Sequence, residues 1–206
     1  MRRVIFGLMV TIGLGTGSAN AQSWLSYGVK AEANMSSLLF EDMPGYSKEF
    51  GAGAAIGGFL KVELGDNFAI QQDILLQWQN STIKQGGAKS DFEYWGVEVP
   101  VYAVGQMTLK TGDRVYVGIG PYFGLGFSAK NKATDVNLYD KNGGSDPFMH
   151  RGDVGAGGMI GYEFAFGMQI NASYKYGILN RLDADSKNST LRGQSIALGI
   201  DRKSVV

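Results

Sequence analysis

The chain has 206 residues, with 19 Lys+Arg against 19 Asp+Glu, no cysteine and a single histidine. Balanced charge supplies no field for nucleic acid or an anionic surface, and the missing thiols exclude disulfides, thiolate zinc sites, thiol catalysis and a lipoprotein anchor. A hydrophobic share of 44% is too low for a bundle of membrane helices, whereas 31 glycines and only 18% charged residues point to β structure in an unusual environment.

Residues 1–21 read as a secretory signal peptide. Arg2 and Arg3 form a positive start, Val4 to Gly15 is an apolar run too short to span a bilayer, and Ala19-Asn20-Ala21 is a small-x-small cleavage pattern. Cleavage after Ala21 leaves a single domain, 22–206, with a slight negative excess. The exported chain then shows a period of two in segment after segment, the mark of strands with two unlike faces. Leu25, Tyr27, Val29, Ala31 and Ala33 alternate with Ser26, Gly28, Lys30, Glu32 and Asn34. Phe50 to Leu64 repeats the scheme, with Ile56, Leu60 and Val62 opposed to Phe59, Lys61 and Glu63. The third segment sets Phe68, Ile70, Ile74, Leu76 and Trp78 against Gln71, Asp73 and Gln77, with Gln72 and Leu75 as exceptions. In the fourth, Trp95, Val97, Val99, Val101 and Ala103 oppose Gly96, Glu98, Pro100 and Tyr102. Four more follow at 115–127, 153–164, 168–177 and 195–201, carrying Glu163, Lys175 and Asp201 in the polar phase.

Connections alternate in length. Gly65-Asp66-Asn67, Lys110 to Asp113 and Ala165-Phe166-Gly167 are tight and rich in turn residues, while 35–49, 80–91, 129–150 and 179–191 are long and polar. Eight strands in an up-and-down meander, with short turns at one end and long loops at the other, describe a transmembrane β-barrel of the outer membrane. An even strand number puts both termini on the short-turn, periplasmic side. A soluble barrel would show the same period with its faces exchanged, so three further features decide. The polar phase is heavily glycine, which suits a crowded interior around Phe59, Tyr116 and Tyr122. Aromatics gather at strand ends, with Trp24, Tyr27, Phe68, Phe164 and Phe166 at one rim and Phe50, Trp78, Trp95, Phe127 and Tyr176 at the other, as interfacial belts do. The strands of about 10 to 14 residues also match a tilted crossing of hydrocarbon.

Trp95-Gly96-Val97-Glu98-Val99-Pro100-Val101-Tyr102 resembles a segment of the small outer-membrane barrels of Bacteroidetes-type bacteria, the PorT-like barrel domain. Tyr116 to Tyr122, Asp153-Val154-Gly155 with Gly161-Tyr162-Glu163, and Tyr174 to Asn180 extend the resemblance over the whole exported chain. It implies an all-β, eight-stranded antiparallel barrel of OmpA/OmpX-like architecture, and no uniform activity. Such barrels usually end on an aromatic residue, whereas this chain ends Asp201-Arg202-Lys203-Ser204-Val205-Val206. Pro100 and Pro121 each lack a ladder donor, so a bulge or a widened bond is expected beside them.

Eight strands enclose a lumen barely wide enough for side chains. Lys30, Glu32, Lys61, Glu63, Asp73, Glu98, Glu163, Lys175 and Asp201 are therefore expected inside as an ion-paired plug, with a narrow ion or proton path as the alternative. His150 has no serine placed for a hydrolytic site and reads as a surface residue, so the chain is not expected to be an enzyme. Arg151-Gly152-Asp153 spells an adhesion tripeptide, but Asp153 fits the polar phase of a strand. Gly86 to Ser90 lacks the glycine before Lys89 that a phosphate loop needs. No cofactor and no metal cluster are indicated. The expected partners are outer-membrane lipid and a protein met through the loops at 35–49, 80–91, 129–150 and 179–191, with no nucleic acid; a place in a secretion or assembly complex is the alternative role, followed by a lipid-modifying hydrolase or a narrow channel.

Overall fold

The computed structural model describes residues 24–41, 46–47, 51–85, 88–131, 151–179 and 190–205. Eight long antiparallel strands form the barrel: β1 (Leu25–Glu41), β2 (Gly51–Glu63), β3 (Phe68–Gln85), β4 (Ala88–Thr108), β5 (Arg114–Asn131), β6 (Gly152–Glu163), β7 (Met168–Gly177) and β8 (Thr190–Val205). Each pairs with its sequence neighbours, and β8 pairs with β1 from Ser26↔Val205 to Glu41↔Thr190, which closes the sheet on itself. Closure leaves no edge in the wall, so outside two gaps at prolines the backbone polar groups pair within the ladder, as hydrocarbon demands. The non-aromatic C-terminal segment is thus a full member of the sheet. The signal peptide and His150 lie outside the described residues.

The two phases are distributed as a membrane barrel requires. Ile119 is 71% exposed and Leu198 68%, with Val29, Ile56, Ile74 and Ile160 also turned outward, while Lys30, Lys61, Asp73 and Asp201 are at most 2% exposed. An apolar wall of this extent is stable only against lipid. The two exceptions in the third segment keep the alternation: Leu75 is fully buried in the lumen, and Gln72 stands in the outward phase, half-buried. Glycines in the inward phase make room for large rings. A Cβ on Gly28 would come within 2.4 Å of the Phe59 ring, one on Gly155 within 2.5 Å of Tyr122, and one on Gly161 within 2.3 Å of Tyr116.

Both prolines interrupt the ladder as expected. Between Gln72↔Val101 and Leu75↔Glu98 two pairs beside Pro100 are absent, and two more beside Pro121 are absent between Pro100↔Tyr122 and Ala103↔Ile119, with the register unchanged across each gap. Neither proline offers an N–H to hold the opposite carbonyl. The carbonyl oxygens of Ile74 and Val101, at these gaps, lie 1.9 and 1.8 Å from where a Cβ on Gly57 and Gly120 would stand, so only glycine fits beside them. Among the described residues the register shifts elsewhere, at Trp95/Gly96.

The tight turns are where the sequence places them, with Gly112 and Gly167 at φ of 86° and 85°, the left-handed region that favours glycine. The long connections need correction. Residues 80–91 are not a loop: β3 and β4 stay paired from Asn80↔Glu93 to Gln85↔Ala88, leaving only 86 and 87 between them. Likewise β1 continues to Glu41, and Tyr46–Ser47 pairs with Gln85 and Lys84 of β3. Of the two other loops, 129–150 and 179–191, residues 132–150 and 180–189 lie outside the described residues, while β5 runs on to Asn131 and β8 already begins at Thr190. The physical reason for the difference is simple. Alternating hydrophobicity marks only the part of a strand with lipid on one side, and a strand that rises beyond lipid has no reason to alternate. The 10 residues of β7 extend roughly 33 Å and just cross the apolar band when tilted, whereas the 21 of β4 extend about 70 Å and must project well beyond it.

Candidate functional site: a charged lumen between two aromatic rims

Each charged residue of the lumen arrives there by the inward phase of a different strand. The nine charges read from the sequence all point inward; eight are buried, and Glu63 is half-buried. They fall into two groups along the barrel axis. In the central group, Lys30 of β1 is the hub. Its Nζ donates to Asp73 Oδ2 at 2.9 Å and stands 3.1 Å from Glu32 and 3.9 Å from Asp201. Gln71 donates to the other Asp73 oxygen at 2.8 Å, and Asn171 donates to Asp201 Oδ2 at 2.9 Å. Lys175 of β7 hydrogen-bonds Glu98 of β4 across the lumen and reaches Glu32 at 3.9 Å.

The second group closes the short-turn end. Lys61 of β2 donates to Gln106 Oε1 at 2.7 Å and stands 3.7 Å from Glu63 and 3.9 Å from Glu163. Gln106 in turn donates to Glu63. Arg114 meets Glu63 at 3.2 Å, and Lys203 meets Glu163 at 2.9 Å and Glu63 at 3.7 Å. Tyr116 joins the layers, donating to Gln169, which donates to Glu163, with Lys61 5.5 Å from its ring centre. Around them Ala69, Tyr102, Val104, Tyr116 and Met159 pack as an apolar cluster inside the barrel. A recess of about 330 Å³, lined by Glu63, Arg114, Glu163 and Lys203, opens at this end.

Arg114, Lys203, Gln106 and Asp153 are lumen residues that the sequence reading did not assign to the network. Phase alone identifies them: Arg114 lies two before Tyr116, and Lys203 two after Asp201. Asp153 is buried, and Tyr122 donates to its Oδ2 at 3.1 Å, so this carboxylate of the Arg151-Gly152-Asp153 tripeptide faces inward. Among the described residues no three His, Cys, Asp or Glu side chains are arranged to hold a metal ion.

The rims are fixed by hydrogen bonds as well as by aromatics. At the hairpin end Trp78 and Trp95 are cross-strand partners, and both indoles donate to Glu93 Oε1, at 3.0 and 2.9 Å. At the other end Asp113 joins two turns. It accepts from Thr111 Oγ1 at 2.7 Å, Tyr162 Oη at 2.8 Å and the Ala165 N–H at 2.9 Å. The Thr111 hydroxyl first, then the Tyr162 hydroxyl and the Ala165 backbone N–H, hold its carboxyl below the usual carboxylate range.

Comparison with known proteins follows the same lines. OprG of Pseudomonas aeruginosa, an outer membrane protein, superposes with a TM-score of 0.52 at 12% identity, covering 88% of this chain and 96% of its own; at that identity it shares the fold alone. Neisserial surface protein A aligns at 16% identity over 85% of this chain and 96% of its own, with a TM-score of 0.49. Ail, the attachment invasion locus protein of Yersinia pestis, aligns at 13% identity over 87% and 99%, with a TM-score of 0.48. No curated protein matches the sequence. The family model described as the outer membrane protein beta-barrel domain matches residues 20–183. The chain therefore belongs to that family of eight-stranded outer-membrane barrels.

Proposed function

We propose that this barrel is a rigid outer-membrane platform whose lumen is plugged and whose work is done by the projecting hairpin end, with both termini in the periplasm. The observation that carries the reading is the pairing of a buried, ion-paired lumen with strands that overshoot the membrane. Lys30, Lys61 and Lys175 are tied across the barrel at 4% side-chain exposure or less, which supports a closed interior over a conducting one. The paired extension of β3 and β4 beyond Trp78 and Trp95 presents a stiff two-stranded surface, braced by Tyr46–Ser47. Rigid scaffolds of this kind place recognition on what they hold away from the membrane. The role is binding, not catalysis: among the described residues the lumen brings together ion pairs and amides, without a nucleophile–base arrangement.

A photoreactive residue in place of Lys89 tests the platform directly. Crosslinking in the native outer membrane to one protein is expected, and its identity separates a free-standing adhesin from a member of a secretion or assembly complex. Absence of any hairpin crosslink, together with steady single-channel conductance of the pure protein in planar bilayers, would overturn the proposal in favour of a channel.

A further inference from the structure

Among the described residues the connected ion pairs at the centre and short-turn end of the lumen do not balance. Lys30, Lys61, Arg114, Lys175 and Lys203 meet Glu32, Glu63, Asp73, Glu98, Glu163 and Asp201, so six carboxylates share five cations. Asp153 lies apart, toward the hairpin end, with Tyr122. The shortfall is central, where Lys30 is shared by Asp73 at 2.9 Å, Glu32 at 3.1 Å and Asp201 at 3.9 Å, and only Glu32 has a second cation, Lys175 at 3.9 Å. Asp201 is the worst served of the three. It is 1% exposed, its Oδ2 takes an amide hydrogen from Asn171, and its Oδ1 has no hydrogen-bond partner; Glu32 Oε2 has none either. A surplus charge sealed in such a place is far costlier than a neutral carboxyl group.

We infer that Asp201 is held as the neutral acid in the folded barrel at neutral pH, a single bound proton completing the charge balance of the lumen. The groups facing it are Lys30 and Glu32 from β1, Gln169 and Asn171 from β7, and, across the lumen, Asp73 from β3, Tyr116 from β5 and Glu163 from β6. Its position gives the proton a structural role. Asp201 and Lys30 are direct partners in the β8–β1 ladder, the seam where the last strand meets the first and the barrel closes. Loss of the proton puts an uncompensated negative charge inside that seam and loosens it.

Infrared spectroscopy of the full barrel in phospholipid vesicles at pH 7 tests this. The wild type should show the C=O stretch of a protonated carboxylic acid, Glu32→Gln should keep it, and Asp201→Asn should remove it. Asp201→Asn should also fold and unfold in urea at the wild-type midpoint, since an amide mimics the neutral acid, whereas Asp73→Asn, which takes a charged partner from Lys30, should unfold earlier. No acid band in the wild type, a band that survives in Asp201→Asn, or failure of Asp201→Asn to fold would each overturn the inference. So would a wild-type midpoint that differs between sodium and potassium buffers, because a metal ion would then be supplying the missing charge.

Discussion

Removing the ammonium of Lys30 tests the buried hub most sharply. Lys30→Met keeps the length and most of the volume of the side chain but strips the cation from Asp73 at 2.9 Å and Glu32 at 3.1 Å, both inside a lumen closed to water. Breaking a buried pair by deleting one partner costs about 3–5 kcal/mol, because the remaining charge keeps its desolvation penalty. The same change at the exposed Lys110, in a turn, should stay within about 0.5 kcal/mol. Equilibrium urea unfolding in lipid vesicles, followed by tryptophan fluorescence, measures the difference. Adding Asp73→Asn to Lys30→Met should recover part of the loss, since it removes one of the orphaned charges. A Lys30→Met penalty below about 1 kcal/mol, or a double variant as unstable as the sum of the singles, would refute the claim that these charges hold each other.

Most of the wall was legible in the sequence because one physical condition writes it. Lipid outside and crowding inside force alternation, and the alternation from Leu25 to Asp201 therefore gives both strand order and phase. The lumen was legible for the same reason, down to Lys30, Asp73 and Asp201 sharing one interior. What the pattern does not encode is anything beyond the lipid. Residues 80–91 read as a loop because they do not alternate, yet hydrogen-bonded pairing continues there to Gln85↔Ala88. Nor does phase reveal partners. That Trp78 and Trp95 share Glu93, or that Asp113 bridges two turns, depends on register between strands and on turn geometry, neither of which is a property of one segment.

Three further outcomes follow from particular contacts. Gly161→Ala, with a Cβ 2.3 Å from the Tyr116 ring, and Gly120→Ala, 1.8 Å from the Val101 carbonyl, should each cost about 1–3 kcal/mol in urea unfolding, whereas Gly65→Ala meets nothing within 4 Å and should be near neutral. Asp113→Asn should loosen the short-turn end, read as faster hydrogen exchange at Ala165. Because the carboxyl of Asp113 is held below its unfolded range, its contribution is fully present above about pH 4 and is lost as pH falls through the lower folded value; wild-type protection at Ala165, taken relative to the intrinsic exchange rate at each pH, should fall in acid, and that of the variant should not show this extra step. Replacing residues 82–91 by a two-residue turn should leave the vesicle-embedded barrel folded and heat-modifiable, since this part of the hairpin projects beyond lipid; loss of folding would place it in the wall.

Arginine placed at successive depths on the outward face probes the whole arrangement at once. Ile74 and Ile170, both about half exposed on the apolar wall, and Val99, in the outward phase opposite Ile74, lie between the aromatic rims that Trp78 and Phe164 mark. Reversible unfolding in phospholipid vesicles should show penalties of about 2–4 kcal/mol for Ile74→Arg, Val99→Arg and Ile170→Arg, falling to about 0–1 kcal/mol for Trp78→Arg and Phe164→Arg. Penalties with no dependence on depth, or a wild-type barrel that folds to the same stability without lipid, would mean that the apolar face is not the one that meets the membrane.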